Sequence, residues 1–244
     1  MSQILTEDDV VSWKRDGFLV RQTFADTSDL ALLRAAFDEV LEAHAPGDRM
    51  VGGVTRQVMV PSDTHPVFSD NPLLDRGREI VRQLSGQKGE VPRTFDMLIH
   101  KPAGHPHETP WHQDMSYAGM PTAPAGTPPL EGLLQFWVPL DDVDEENSCM
   151  QFVPGHHQKP LLPHVVASGD RDDSGRLLAI DDPSAHLDLS TRVVAEMPAG
   201  GVTVHGYCTP HYTGPNRTID RPRRAYIFNL ATPEAAAVLF AKKA

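Results

Sequence analysis

Apolar residues recur at helical spacing through the first part of the chain, where three helices are predicted. Thr6 with Asp9 three residues later is typical of a helix N-cap, and Gly17 predicts the end of that helix. The second and third predicted helices begin at Ser28-Asp29 and at Pro72, and they end at Pro46-Gly47 and at Leu84 before Gly86.

From Arg93 onward, short apolar runs alternate with proline and glycine turns, which is typical of strands. The predicted strands are Phe18 to Val20 in the first part, then Thr94 to His100, Leu133 to Leu140, Met150 to Val153, Arg192 to Glu196, Val202 to His205 and Ala225 to Leu230. Spaced strands with turn signals indicate a β-sandwich or barrel.

Bulk properties narrow the functional classes. The chain has 244 residues, 40% of them hydrophobic, which suits one large domain with a substantial core. A formal charge of −11 argues against nucleic-acid binding, and no apolar run is long enough to cross a membrane. Because the two cysteines form no CxxC pair and no secretory leader is visible, we expect a cytoplasmic protein.

The segment Pro110-Trp111-His112-Gln113-Asp114 carries the main chemical signal. Alternate side chains of an extended strand point to the same face, so His112 and Asp114 can reach one ion together. A third ligand is expected from the segment that begins at His211. Two histidines and one carboxylate form the facial triad of non-haem Fe(II) oxygenases, which leaves positions open for a co-substrate and O₂.

A long loop follows this segment, from Gly119 to Pro129. Long loops beside a site often act as lids. A surface connection without a role is the alternative interpretation.

Five blocks of the chain, in order, resemble the phytanoyl-CoA dioxygenase family of Fe(II)/2-oxoglutarate oxygenases. They are Asp96 to Pro102, Trp111 to Asp114, Phe136 to Met150, Phe152 to His157 and His211 to Arg224. A single His-x-Asp is a weak signal, whereas five ordered blocks are specific.

The resemblance implies a mainly β fold with flanking helices, a double-stranded β-helix (jelly roll, cupin-like). It further implies one domain over residues 1–244, with a helical part at about 5–90 and the jelly-roll core at about 91–232.

The same resemblance implies His112, Asp114 and His211 as ligands of Fe(II). His205, on the preceding predicted strand, is the alternative to His211, although the family offset before Pro215-Asn216-Arg217 favours His211. Asp114 argues against a halogenase, because halogenating relatives replace this carboxylate by a small residue.

Two other histidines, His105 and His107, suggest a cupin-type metal motif. That motif needs a glutamate a few residues later, and Glu108 follows too early. We therefore expect loop histidines here.

The co-substrate 2-oxoglutarate needs a cation for its far carboxylate, best a guanidinium. Among Arg221, Arg223 and Arg224, register with the family selects Arg223. By resemblance, Thr213 would add a hydroxyl, Met97 and Trp137 would line the co-substrate pocket, and Arg56 or Gln57 would add a further polar group. Met97 and Trp137 fit plain barrel core equally well.

The predicted activity is oxidation of a C–H bond by Fe(II), 2-oxoglutarate and O₂, with hydroxylation as the expected outcome. No side-chain nucleophile or base is needed, so Ser116 and Cys149 are not catalytic candidates. Phe95, Met115 and Tyr117 are expected substrate contacts. The expected partner is a small molecule, such as a secondary-metabolite intermediate, and the expected assembly is a monomer or homodimer.

Three alternatives stay open at this point. Relatives in the family divert the same chemistry to epimerisation, cyclisation or desaturation. A cupin-type metal enzyme would not use 2-oxoglutarate, and a jelly-roll binding protein would not turn over at all.

Overall fold

The structure of the protein, a computed structural model, describes residues 4–44, 48–51, 55–118, 123–168 and 177–241. The helices in these residues are α1 (Glu7–Asp16), α2 (Thr27–Glu42), α3 (Pro66–Ser69), α4 (Pro72–Ser85), α5 (Pro183–His186) and α6 (Pro233–Ala241). The strands are β1 (Phe18–Arg21), β2 (Asp48–Val51), β3 (Thr55–Met59), β4 (Arg93–Lys101), β5 (Thr109–His112), β6 (Leu133–Pro139), β7 (Met150–Phe152), β8 (His164–Val166), β9 (Leu178–Ile180), β10 (Val193–Ala195), β11 (Val202–Gly206), β12 (His211–Thr213) and β13 (Arg223–Ala231).

Two antiparallel sheets form the body of the fold. The large sheet runs β1-β11-β6-β13-β4-β3-β2, and the small sheet runs β10-β7-β12-β5. A third, two-stranded sheet is formed by β8 and β9, and β9 packs against β5 of the small sheet. This is the predicted mainly β fold with flanking helices, a jelly roll of the cupin-like type, and the fold-class prediction is confirmed.

Capping interactions set the ends of the helices. Thr6 accepts a hydrogen bond from the Asp9 amide while the Asp9 carboxylate accepts one from the Thr6 amide, which satisfies two of the orphan donors at the start of α1. Gly17 ends α1 with φ at +84°, and a Cβ there would lie 2.3 Å from Cγ of His157. Glycine is therefore required both by the backbone and by the close approach of His157.

The main apolar core lies between the helices and one face of the large sheet. Phe136 of β6 stacks on Phe228 of β13, with ring centroids 4.8 Å apart, and Phe37 of α2 is fully buried in the same cluster. Each such burial stabilises the fold by roughly 1.5–3 kcal/mol. This packing fixes the large sheet, whose other face turns toward the small sheet.

The predicted elements differ from the observed ones mostly at their ends. The helix predicted from Ser28-Asp29 begins at Thr27, because Asp26 is its N-cap, and it ends at Glu42; Pro46-Gly47 lies outside the described residues. Five strands were not predicted, namely β2, β3, β8, β9 and β12, and β5 was expected only as extended backbone around His112. All but β3 are three or four residues long, too short to show a period.

The division near residue 90 separates two parts of the chain that share one sheet. β1 pairs with β11, and β3 pairs with β4, so strands from the first part lie within the large sheet. One domain with a helical part at about 5–90 and a core at about 91–232 stays a prediction.

Among the described residues, none of the helices has both the length and the apolar character that a bilayer crossing needs.

Candidate metal centre and adjoining cavity

His112 and His211 lie side by side on neighbouring strands of the small sheet. They are directly paired in the β5–β12 register, and their ring centroids are 4.0 Å apart. Asp114 does not lie on the strand but begins a short 3₁₀ turn over Asp114–Tyr117. Gln113, which lies between His112 and Asp114, has extended backbone angles, so the Asp114 side chain still points to the same side as that of His112.

Gln113 holds this segment in place. It is fully buried, its side-chain amide donates to the Cys208 carbonyl at 2.6 Å, and its side-chain oxygen accepts from the Leu162 amide at 2.9 Å. Its backbone amide donates to Nε2 of His164 at 3.1 Å. The middle residue of the motif therefore anchors the backbone while its two neighbours face the other way.

The ligand atoms of His112, Asp114 and His211, hereafter the His-Asp-His cluster, all lie within 4.8 Å of one another. The Nδ1–H groups of both histidines donate to backbone carbonyls two residues earlier, at 2.8 Å for His112 and 3.0 Å for His211. Each Nε2 then carries the free lone pair, and each lies 3.7 Å from Oδ1 of Asp114. Hydrogen bonds of this kind orient histidines that bind metals.

His205 contacts the other oxygen of the same carboxylate. Its Nε2 lies 3.3 Å from Oδ2 of Asp114 and 3.2 Å from the side-chain nitrogen of Gln135, and its side chain is fully buried. The two carboxylate oxygens are thus divided, Oδ1 toward His112 and His211 and Oδ2 toward His205. His205 is placed to orient Asp114 rather than to share its ligand face.

The protonation states suit a cation. Burial lowers the pKa of His112, and it lowers that of His211 to well below the usual value, so both imidazoles are neutral at neutral pH. Burial alone would raise the pKa of Asp114, but the neighbouring His211 and His205 keep it well below its usual value. Two neutral imidazoles and one carboxylate, open on one side, are the donor set that non-haem Fe(II) binds.

A cavity of about 370 Å³ opens in front of the His-Asp-His cluster. The strand register places the wall residues of this cavity at two levels. The first level is Gln135, Asn229 and Phe95, which are paired across β6, β13 and β4. The second level, two residues further along the strands, is Trp137, Ile227 and Met97. His205 is paired with Gln135, so the cluster lies at the first of these two levels. Arg223 lies at the far end, beyond Trp137 and Met97.

Arg223 is a buried cation without a counter-charge. Its side chain is 1% exposed, and among the described residues no carboxylate lies within ion-pair distance of it. Its Nε and Nη1 have no hydrogen-bond partner, its Nη2 reaches only Ser148 and Thr213 at 3.4 Å each, and its guanidinium lies 5.5 Å from the centre of the Trp137 ring. Burial lowers the pKa of Arg223 to about 10, so it stays charged at neutral pH. Such a group calls for an anion.

The neighbouring arginines face elsewhere. Arg221 pairs with Asp144 and Glu146, and Arg224 pairs with Asp141 and Asp38. Of the earlier pair of polar candidates, Gln57 lines the cavity, whereas Arg56 pairs with Asp48.

The predicted site residues are brought together with one exception. Met97, Trp137, Thr213, Phe95 and Tyr117 all line the cavity. Met115, an expected substrate contact, instead packs in a small buried cluster with Leu161 and Cys208. Three residues make one turn of a 3₁₀ helix, so Tyr117 returns to the side of Asp114 while Met115 points away.

Several lining residues were not anticipated. Gln135, Asn229 and Tyr207 supply polar groups near the His-Asp-His cluster, and the Asn229 side-chain oxygen is buried without a partner. Gln135 lies two positions before Trp137, and Asn229 six positions after Arg223, so strand alternation from either predicted residue would have found them. Lys101 behind Thr213 was missed as well.

The Gly119 to Pro129 loop and the histidines His105 and His107 lie in different surroundings. Of the Gly119 to Pro129 loop, residues 119–122 lie outside the described residues, whereas Gly126 and Thr127 exchange backbone hydrogen bonds with Leu161. Ala118, just before the loop, lines the cavity. His105 is buried against the Thr55 hydroxyl at 2.6 Å and accepts from the His107 amide, which is a local structural role.

Comparison with protein families gives one match that covers most of the chain. The model of the family described as phytanoyl-CoA dioxygenase (PhyH) matches residues 13–225. The peroxisomal phytanoyl-CoA dioxygenase of Rattus norvegicus is 26% identical over 221 residues, which are 84% of this chain and 62% of that protein. The chain thus spans less than two thirds of the length of this relative.

Solved structures share the fold over nearly the whole chain. EvdO2 of Micromonospora carbonacea var. aurantiaca, in complex with 2-oxoglutarate, has a TM-score of 0.77 and 29% identity and covers 95% of this chain and 93% of its own. The non-haem α-ketoglutarate-dependent carbocyclase SnoK from nogalamycin biosynthesis has a TM-score of 0.72 and 22% identity, covering 93% of this chain and 84% of its own. The likeness to SnoK, at 22% identity, shows a shared fold.

Proposed function

The chain belongs to the phytanoyl-CoA dioxygenase family of Fe(II)/2-oxoglutarate-dependent oxygenases, and from this premise we propose that it oxidises a C–H bond of a small organic substrate, with hydroxylation as the outcome. One observation carries the proposal. The His-Asp-His cluster and the unpaired Arg223 face the same cavity, so one wall offers ligands for a metal and the far end offers a cation for a carboxylate.

His112, Asp114 and His211 are the proposed ligands of Fe(II). His211 is preferred to His205, because Nε2 of His205 is engaged with Oδ2 of Asp114, away from the oxygen that faces the other two ligands. With 2-oxoglutarate and O₂, the iron supplies the oxidising power, and the co-substrate leaves as succinate and CO₂.

Arg223 is the proposed partner of the far carboxylate of 2-oxoglutarate. Thr213 contributes a hydroxyl beside it, and Trp137 and Met97 form the walls between Arg223 and the His-Asp-His cluster. A dicarboxylate laid along this path keeps its keto-acid end at the cluster. The similarity to EvdO2, solved with 2-oxoglutarate, supports this assignment.

The protein's own groups position reactants and exclude water. Ser116 and Cys149 are buried, and burial raises the pKa of the Cys149 thiol to about 12, so Cys149 remains protonated and is no nucleophile. This supports chemistry that belongs to the metal and its co-substrate, with the chain contributing orientation.

The substrate is proposed to enter opposite Arg223, beside Phe95 and Tyr117. Gln135 and Asn229 offer neutral hydrogen-bonding groups at the level of the His-Asp-His cluster, and Arg223 is the one Lys or Arg among the described residues that line this cavity. This lining suits a small, largely uncharged molecule, such as a secondary-metabolite intermediate. Diversion to cyclisation or epimerisation would use the same site, and SnoK is a carbocyclase of the same fold.

The test is co-substrate turnover. The purified protein, given Fe(II), 2-oxoglutarate and O₂ with a panel of small substrates, is expected to release succinate, detected by mass spectrometry. Succinate must depend on added Fe(II), and a hydroxylated product must gain one oxygen atom from ¹⁸O₂. Anaerobic protein that binds neither Fe(II) nor 2-oxoglutarate would favour the jelly-roll binding protein instead.

His205 provides a second prediction. Replacing it by alanine is expected to weaken Fe(II) binding by about 10–100-fold, because Asp114 loses the group that orients its carboxylate. Fe(II) affinity, measured by competition with a chromophoric chelator, checks this. A loss as complete as that caused by removing His112 would instead make His205 the distal ligand.

A further inference from the structure

Lys101 is a second buried basic residue behind the cavity. It is the last residue of β4, is paired directly with Arg223 in β13, and is 1% exposed. Its Nζ contacts Ser148 Oγ at 3.0 Å, Thr213 Oγ1 at 3.3 Å and the Gly214 carbonyl at 2.7 Å. Within the described part of the chain, no carboxylate lies at ion-pair distance from it.

Lys101 and Arg223 share the same two hydroxyls. Arg223 also donates to Ser148 and Thr213, so both basic groups converge on these two side chains. A charged Lys101 beside the charged Arg223 would place two buried positive charges together, which only an anion can offset. The arrangement therefore indicates an anionic ligand with more than one cation to satisfy it.

When Lys101 is charged, the hydroxyl of Thr213 is the group whose proton stays free to donate. A hydroxyl has one donor and two acceptor lone pairs. A charged Lys101 and Arg223 together occupy both lone pairs of Thr213, so its proton then points to another acceptor, and Thr213 lines the cavity. Ser148 differs, because its own proton already goes to the Gly214 carbonyl at 2.6 Å.

The charge of Lys101 decides this orientation. A charged ammonium has three donors for the three acceptors around it, whereas a neutral amine has two donors and one lone pair that can accept from Thr213. Burial, and then Arg223 from β13, lower the pKa of Lys101 to about 6, while Glu108 before β5 acts in the opposite direction. His105, from the loop after β4, has its own pKa lowered to about 4 by burial, then by Lys101, so it is neutral near pH 7.

We propose that Lys101 is a positioning residue for the far carboxylate of the dicarboxylate co-substrate: it takes up a proton from solvent as that carboxylate binds and thereby turns the Thr213 hydroxyl toward it. This rests on the proposed function, since the dicarboxylate is 2-oxoglutarate. Lys101 acts through Thr213 and does not itself touch the reacting atoms.

The first test is the proton balance of binding in the unaltered protein. Anaerobic Fe(II)-loaded protein is titrated with 2-oxoglutarate in buffers of different ionisation enthalpy at pH 7.5. We expect uptake of close to one proton per ligand. Affinity should be constant below about pH 6 and fall as the pH rises, because the amine must then be protonated from a largely neutral state.

The second test uses Lys101→Met, with Lys88→Met on the exposed surface as the control. Lys101→Met should weaken 2-oxoglutarate binding by about 10–100-fold at pH 6, the loss expected for hydrogen bonding to a charged group. It should also abolish the proton uptake. Binding of 2-oxobutyrate, which lacks the far carboxylate, should be unchanged, which separates the effect from a general distortion.

The outcomes are distinct. Equal 2-oxoglutarate affinity and equal proton uptake in Lys101→Met and the unaltered protein would overturn the role of Lys101 and leave the proposed function intact. Failure of the unaltered protein to bind 2-oxoglutarate would overturn both. If Lys101→Met does not fold, absence of proton uptake by the unaltered protein still decides against the proposal.

Discussion

Replacing His211 by alanine is expected to reduce succinate formation by on the order of 1,000-fold or more and to abolish tight Fe(II) binding. The imidazole supplies one of three ligand atoms that lie within 4.8 Å of one another, and its Nδ1 is already held by the Thr209 carbonyl. Loss of an outer partner of a metal ligand reduces affinity or activity by about 10–100-fold, so loss of a ligand must exceed this range. Succinate release and chelator competition measure the two effects.

The matched control is His186→Ala, at an exposed position of α5. It should retain full Fe(II) affinity and turnover. Binding of 2-oxoglutarate must also weaken in His211→Ala, since its keto-acid end would lose the metal. Should His211→Ala keep Fe(II) affinity within tenfold of the unaltered protein, the assignment of the distal ligand would be wrong.

Much of this centre could be predicted because strand geometry is simple. Alternation placed His112 and Asp114 on one face, and it holds because Gln113 keeps an extended backbone. Family register selected Arg223 as the inward member of its arginine run, and the ion pairs of Arg221 and Arg224 agree with that choice. The Thr6 and Asp9 capping pair located the start of α1, and Pro72 and Gly86 located the two ends of α4.

What escaped prediction depends on pairing between distant segments. The convergence of His112 and His211 was expected, but the pairing of β5 with β12 that produces it was not, because these strands of four and three residues carry no period of their own. The burial of Lys101 could not be predicted, because a lysine at the end of a strand is usually solvated. It is enclosed by β13, by β12 with Gly214, and by Ser148, all of which are distant in the sequence.

Met115 shows how one local turn changes a functional prediction. It follows the His-x-Asp motif directly, and a continued strand or a plain loop would give no reason to exclude it from the cavity. The 3₁₀ turn over Asp114–Tyr117 rotates the chain, so Tyr117 faces the cavity and Met115 fills a buried cluster. A turn of three residues per repeat selects different side chains from a strand.

Arg223→Met is expected to separate ligand binding from stability. Truncating one member of a buried charged pair costs about 2–5 kcal/mol of binding, so the Kd for 2-oxoglutarate should rise between about 30-fold and a few thousand-fold. The free energy of unfolding without ligand should be unchanged or raised by about 1–2 kcal/mol, because methionine removes a buried, unpaired charge. The lost contact with Trp137 partly offsets this gain. Calorimetry and urea unfolding measure the two quantities.

Arg224→Met serves as the neighbouring control, since Arg224 is half-buried and already paired with Asp141 and Asp38. It should leave 2-oxoglutarate affinity nearly unchanged and lower stability slightly.

Fe(II) binding should survive in Arg223→Met, because the His-Asp-His cluster lies at a different level of the cavity wall. If Arg223→Met kept both its metal and its 2-oxoglutarate affinity, the far carboxylate would have to bind elsewhere. If the unaltered protein bound metal but showed no affinity for 2-oxoglutarate, a cupin-type metal enzyme would fit better. The buried charge of Arg223 destabilises the fold when no ligand is bound. A carboxylate that pairs with Arg223 removes this cost, so its removal adds to the free energy of 2-oxoglutarate binding.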